Sequence, residues 1–144
     1  MWTCKKFHEL TVNELYQLLK LRADVFVIEQ NCVYPDIDNY DQDSLHIFYI
    51  QQEELIAYCR VVPSGKYEEV SIGRVIVRKD HRGTGLAQEL MKQALAAVNQ
   101  QFGLQPIRLC AQAHLQSYYG AFGFETISEE FLEDGIPHVY MMKK

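Results

Sequence analysis

The amino-acid sequence predicts one α/β domain spanning residues 1–144, with a mixed central sheet of six to seven strands flanked by helices. Three observations carry this prediction. A chain of 144 residues suits a single domain that can bury a real core without disulfides or a structural metal. Its balance of 48% hydrophobic and 23% charged residues is that of a folded domain. Short β-branched runs are interspersed with helix-period stretches along the whole length.

Residues 2 to 8 alternate loosely and read as an edge strand. In TVNELYQLLKLRADVF, Thr11 followed by Glu14 forms a capping box, and Leu15, Leu18, Leu19, Leu21, Val25 and Phe26 give a helical apolar face. NCVYPDIDNYDQDS is rich in Asp, Asn and Pro and reads as a long loop, whose length points to function rather than mere connection. LHIFYIQ and ELIAYCRVVP follow as a hairpin turning at Gln52-Glu53. VSIGRVIVRK is strongly β-branched and reads as a central strand. Next come HRGTGLA and a helix, AQELMKQALAAVNQQFG, with Gly103 as its C-cap. IRLCAQ reads as a buried strand, and AHLQSYYGAFGF as a short helix ending in a turn at Gly123. FETISEEF and PHVYMMKK close the chain as two strands around an Asp134-Gly135 turn.

Composition narrows the partners. A net charge of −5 argues against nucleic acid as the main partner, because phosphate binding wants a basic face. No run approaches the eighteen or so apolar residues of a membrane helix, so no membrane partner is expected. Cys4, Cys32, Cys59 and Cys110 form no CxxC pair and no zinc spacing, and the acidic loop lacks the glycine and final glutamate of a calcium loop. The expectation is reduced thiols, no metal and a cytoplasmic location. The tail strands and exposed aromatics permit a homodimer.

The informative junction is the passage from strand through HRGTGLA into helix. Two glycines let the backbone turn tightly and approach a bulky anion. The first helical amides and the helix dipole favour negative charge there, and Arg82 adds a full positive charge. A diphosphate fits such a site. The loop has G-x-G without the third glycine of a dinucleotide fingerprint, and it lacks the Gly-Lys-Ser/Thr of a P-loop. As an ordinary βα turn it would need none of these features.

Arg82, Gly85 and Ala87 fit R-x-x-G-x-[GA], and YYGAFGF follows downstream. On these two motifs the sequence resembles the GNAT acetyltransferase superfamily, whose fold is the acyl-CoA N-acyltransferase fold. LRADVFVIEQNCVYPDIDNYD, AQAHLQSYYGAFGF and EDGIPHVYM together resemble its ElaA-like branch. The resemblance implies acetyl-CoA as co-substrate, held by Arg82, Gly83, Thr84, Gly85, Leu86 and Ala87. It implies backbone pairing with pantetheine near Val75, Ile76 and Val77, an oxyanion contact from the Val77 amide, and further contacts from Gln112 and Phe122. Gln112 stands where many members carry Asn. Tyr119 falls on the tyrosine that members commonly use as general acid, where the plainer alternative is a packed aromatic.

The elements left for the acceptor carry Arg22, Glu29, His46 and His138, which are taken as substrate-binding candidates. For Arg22 and Glu29 the plainer alternative is a buried ion pair with each other. The acidic loop residues Asp36, Asp38, Asp41 and Asp43 are either turn chemistry or an attractor for an amine. The reaction expected is direct transfer of an acetyl group to a small-molecule or peptide amine in a ternary complex. Two alternatives stay open: an acyltransferase like the acyl-homoserine-lactone synthases, which share the LR…VF…E pattern and the aspartate-rich loop, and a non-catalytic CoA-binding regulatory domain.

Overall fold

A computed structural model describes residues 1–144. Its eight strands run β1 (Trp2–Lys6), β2 (Leu45–Gln51), β3 (Glu54–Val62), β4 (Val70–Val77), β5 (Ile107–Gln112), β6 (Glu125–Thr126), β7 (Phe131–Glu133) and β8 (Ile136–Lys143). They form one sheet in the order β1-β2-β3-β4-β5-β8-β6, with β7 also on β8. No helix is long and apolar enough to cross a membrane.

Helix α1 (Val12–Arg22) begins on the expected capping box. Thr11 Oγ1 accepts from the Glu14 amide at 3.0 Å, and Glu14 Oε1 accepts from the Thr11 amide at 2.9 Å. The helix does not stop at Phe26 but widens into a π-helical stretch over Ala23–Glu29. Leu18, Leu21 and Val25 pack with Phe48, Tyr58 and Ile76 as one core on one face of the sheet. Helix α2 (Leu86–Phe102) covers the other face, where Leu90, Met91, Ala94 and Val98 join Ile47, Val61, Ile72 and Leu109 in the larger core. Gly103 ends α2 with φ 78° as expected. Helix α3 (Gln116–Gly120) is short, and the chain turns at Gly123 with φ 94°. Both hairpin turns take left-handed backbone, with φ of 52° and 65° at Gln52 and Glu53 and of 52° and 80° at Asp134 and Gly135.

The strand count exceeds the sequence expectation by one because FETISEEF splits. Ser128 Oγ accepts the Tyr140 amide at 2.9 Å, a ladder bond that a backbone carbonyl normally takes. The segment therefore kinks, and β6 and β7 pair separately with β8.

What positions the site is the junction of β4 and β5. These strands are parallel and pair only at Val70–Ile107 and Ser71–Arg108. Beyond that point no pairing joins them, and a cleft opens at the C-terminal half of β4.

Candidate active site

The cleft has a volume of about 840 Å³ and is walled by β4, β5, β8, the π-helical stretch and the loop after it. Val75, Ile76, Val77, Arg82, Gln112, Tyr119, Glu29 and His138 all line it. The sequence drew these residues from six separate segments, and the fold brings them to one cavity.

The β4 edge has a defined polarity. The Arg78 amide bonds to the Ile56 carbonyl of β3 at 2.8 Å. Backbone groups of successive strand residues point to opposite edges, so the N–H and C=O of Val77 and Val75 face the cleft. The Val77 carbonyl accepts Arg82 Nε at 2.9 Å, which confirms its direction. A register shift at Cys59, opposite Arg74 and Val75, bends β4 at the start of this edge, and Arg74 takes φ 53° there.

The glycine loop adjoins the cleft through Arg82, while Gly83, Thr84, Gly85, Leu86 and Ala87 lie outside its lining. Gly83 and Gly85 have φ of 80° and 85°, the left-handed backbone that glycine adopts without penalty. Thr84 Oγ1 donates to the His81 carbonyl at 2.6 Å and braces the turn. The first bond of α2 runs from the Glu89 amide to the Gly85 carbonyl, so the amides of Leu86, Ala87 and Gln88 have no intrahelical partner. They and the helix dipole form an anion-accepting end. Arg82 is not a free cation at this loop: its Nη1 and Nη2 donate to Glu29 at 2.7 and 3.1 Å. That hydrogen bond holds the Glu29 carboxyl below its usual range. Glu29 thus ties the π-helical stretch to the loop and does not pair with Arg22.

Tyr119 is buried to 8% exposure, lines the cleft, and makes no hydrogen bond through its hydroxyl within the chain. Burial pushes its pKa well up, chiefly by removing water from around the phenolate, so it stays protonated at neutral pH. Tyr118 turns the other way, and its hydroxyl is buried without a partner. Of the two adjacent tyrosines, only Tyr119 presents a proton donor to the cleft.

Three expectations are corrected. Phe122 does not line the cleft but packs edge-on against Tyr118 at 5.4 Å. His46 is fully buried between the Tyr58 hydroxyl at 2.7 Å and the Asp41 carbonyl at 2.8 Å. Burial holds it below its usual pKa, and it is a neutral core residue. Arg22 is also fully buried, donating to Asp36 at 2.9 Å and to Asp41 at 2.7 Å. It anchors the aspartate-rich loop. Asp41 further accepts from Arg60 at 2.8 Å, and Asp38 pairs with Arg60 and Arg74. Arg74 Nε lies 2.8 Å from Asp36, close enough for an ion pair but not aligned as a hydrogen bond. Asp36, Asp38 and Asp41 are therefore consumed by three arginines and do not offer free charge to an amine. Only Asp43 of the four makes no such pair and stays exposed.

Sequence reasoning missed Arg74, Lys66, Cys110 and Glu133, which also line the cleft. Arg74 had a signal, since a lone charge in the middle of VSIGRVIV is out of place in a core strand. The others become visible only through strand pairing.

Comparison with known proteins agrees with this geometry. The model of the acetyltransferase (GNAT) domain matches residues 10–144. Protein ElaA of Escherichia coli strain K12 is 44% identical over 146 residues, covering 99% of this chain and 95% of its own. The crystal structure of an acyl-CoA N-acyltransferase from Pseudomonas aeruginosa superposes with a TM-score of 0.96 at 44% identity, covering 100% of this chain and 99% of that one. BjaI, a CoA-dependent acyl-homoserine lactone synthase solved with isopentyl-CoA, shares the fold at a TM-score of 0.82 but only 18% identity, covering 99% of this chain and 82% of its own. The chain therefore belongs to the GNAT acetyltransferase family, and to its ElaA-like branch.

Proposed function

We propose that the protein is an acetyl-CoA-dependent N-acetyltransferase that transfers the acetyl group directly to an amine in a ternary complex. The observation that carries this reading is the convergence, in one cleft, of the unpaired edge of β4, Tyr119 and Arg82, which stands at the loop leading into the anion-accepting start of α2. The diphosphate of CoA lies against the amides of Leu86 and Ala87, with Gly83, Thr84 and Gly85 giving the backbone room to approach. Pantetheine pairs with the edge of β4 at Val75 and Val77 as an added strand, Ile76 packing beside them and Gln112 contacting it from β5.

The amine loses a proton to solvent or a base and attacks the thioester carbonyl. The C–N bond forms, and the charge that develops on the carbonyl oxygen is met by the Val77 amide. Collapse breaks the C–S bond, and Tyr119 gives its proton to the departing thiolate. Tyr119 suits this role because burial keeps it protonated and its hydroxyl is not engaged elsewhere. Glu29, paired with Arg82, and His138 both line the cleft and are the acceptor-side candidates that remain. The four free cysteines, which carry no disulfide, fit a cytoplasmic location.

The test is release of free CoA thiol across a panel of polyamines, amino acids, aminoglycosides and peptide N-termini. The reading expects amine-dependent release with at least one class. Acetyl-CoA binding with no amine-dependent release in any class would favour a regulatory CoA-binding domain. Release that requires an S-adenosylmethionine acceptor would favour lactone-synthase-like chemistry, which the shared fold with BjaI accommodates.

A further inference from the structure

We propose that Cys110, Glu133 and His138 form a binding site for a thiophilic divalent transition-metal ion, Zn²⁺ foremost, on the acceptor side of the cleft.

The site is built by strand register. In the β5–β8 pair, Cys110 lies opposite Tyr140 and Gln112 opposite His138, so Cys110 and His138 are diagonal neighbours on one face. In the β7–β8 pair, Glu133 lies opposite Ile136 and Phe131 opposite His138, so Glu133 is a second diagonal neighbour of the same histidine. Three strands thus deliver a sulfur, an oxygen and a nitrogen to one spot, all within 4.8 Å of one another. Cys110 Sγ is 3.4 Å from Glu133 Oε2, and His138 Nε2 is 4.0 Å from the same oxygen. Zinc bond lengths of about 2.3 Å to sulfur and roughly 2.0–2.2 Å to nitrogen and oxygen put tetrahedral ligand–ligand edges at about 3.4–3.7 Å. The Cys110–Glu133 edge already has that length, and rotation of the Cys110 and Glu133 side chains shortens the two edges to His138.

The histidine tautomer is an independent observation that points to a cation. His138 Nδ1 lies 2.7 Å from the Ile136 carbonyl. A carbonyl can only accept, so Nδ1 carries a proton, and Nε2 is the ring nitrogen turned toward Glu133 and available to ligate an ion. A ring whose remote N–H is held by a backbone carbonyl is the arrangement found at metal-ligating histidines. The Phe131 ring stacks on His138, with centroids 6.3 Å apart, and fixes its plane.

The donor set selects the ion. One sulfur and one imidazole suit zinc and its neighbours, whereas calcium and magnesium want oxygen ligands throughout. In the metal-free protein the Cys110 Sγ–H donates to Glu133 Oε2 at 3.4 Å. On binding, the S–H bond breaks, the sulfur–metal bond forms, and one proton per ion leaves to solvent. The fourth coordination position opens to the cleft. If the cleft transfers acetyl groups as proposed above, a bound ion blocks the amine side and inhibits competitively with the amine. The metal site itself does not depend on that reading.

The experiment is an anaerobic Co²⁺ titration of the full chain, read by absorbance without turnover. The expected result is a thiolate-to-cobalt charge-transfer band with tetrahedral visible bands, saturating at one ion per chain, releasing one proton and displaced by Zn²⁺. Cys110→Ser removes the charge-transfer band, and Glu133→Gln, a change at an exposed side chain that the fold tolerates, weakens binding. The loss of a ligand is expected to exceed the roughly hundredfold upper range for loss of an outer partner. Cys4→Ser, on the edge strand, leaves the titration unchanged. The proposal is overturned by the absence of a thiolate band at millimolar cobalt. It is equally overturned by a band that survives Cys110→Ser or disappears only in Cys32→Ser, or by Glu133→Gln binding cobalt as the wild type does. Because none of these readouts involves acetyl transfer, their failure is distinct from failure of the enzymatic reading.

Discussion

Asp41→Asn is expected to cost more stability than any other single polar change in the chain. Its Oδ1 accepts from Arg22 at 2.7 Å and from Arg60 at 2.8 Å, and its side chain is 7% exposed. Asp36, Asp38 and Asp41 face Arg22, Arg60 and Arg74 in this network, with Lys66 a further cation at 3.7 Å from Asp38. Asparagine keeps the shape but leaves one buried guanidinium charge uncompensated, a loss of about 3–5 kcal/mol. For a domain of this size, that lowers Tm by roughly 10 °C. Burial pushes the Asp41 carboxyl up, but the Arg22 hydrogen bond and the charges of Arg22 and Arg60 prevail and hold it below the usual range. A depressed folded-state pKa contributes stability above the unfolded value, and that contribution is lost as pH falls through the folded value. The gap between wild type and variant is therefore full at pH 7 and narrows below about pH 4. Thermal melts followed by circular dichroism across that range measure it. A loss under about 3 °C at neutral pH, or a gap that does not narrow in acid, would refute the assignment of Asp41 as the hub of the network.

Two further outcomes concern the cleft. Tyr119→Phe keeps the buried ring and removes the proton donor, so kcat should fall about a hundred- to ten-thousand-fold while acetyl-CoA affinity survives in calorimetry. An unchanged kcat would pass the role to solvent, since the Tyr118 hydroxyl is buried away from the cleft. Glu29→Gln frees Arg82 from a half-exposed pair and should tighten acetyl-CoA binding by up to about fivefold, with Tm nearly unchanged. Weaker acetyl-CoA binding together with a lower Tm would make Glu29 a structural brace of the loop instead.

The local signals were those the sequence could carry. The Thr11–Glu14 box, the Gly103 cap, the Asp134–Gly135 turn and the glycine loop before α2 each depend on residues within a few positions of one another, and the structure has all four. Tyr119 could be singled out because its motif is contiguous, and the structure places it on the cleft. What escaped depends on pairing across the chain. His46 and Arg22 are polar residues on amphipathic elements, and nothing local distinguishes a polar side chain facing a cavity from one buried in a satisfied network. The partners that settle it, Tyr58 and the aspartate-rich loop, lie 5 to 19 residues away. The cluster of Cys110, Glu133 and His138 is assembled by the register of three strands, and its ligands have no spacing that a motif could reveal.

The central claim is that acetyl-CoA binds where the loop enters α2, and calorimetric titration of the wild type beside Gly85→Asp tests it most directly. Gly85 has φ 85°, where a Cβ meets nothing within 4 Å but any side chain carries left-handed strain of about 1–2 kcal/mol, so the variant should fold with a Tm lowered by a few degrees. Its carboxylate would then stand against the diphosphate. Like charges a few ångströms apart near a protein surface cost about 1–4 kcal/mol, so binding should weaken at least about fivefold. The account predicts saturable one-to-one binding of acetyl-CoA by the wild type and that loss in the folded variant. Equal affinity in the two proteins, or no saturable binding by the wild type, would contradict it.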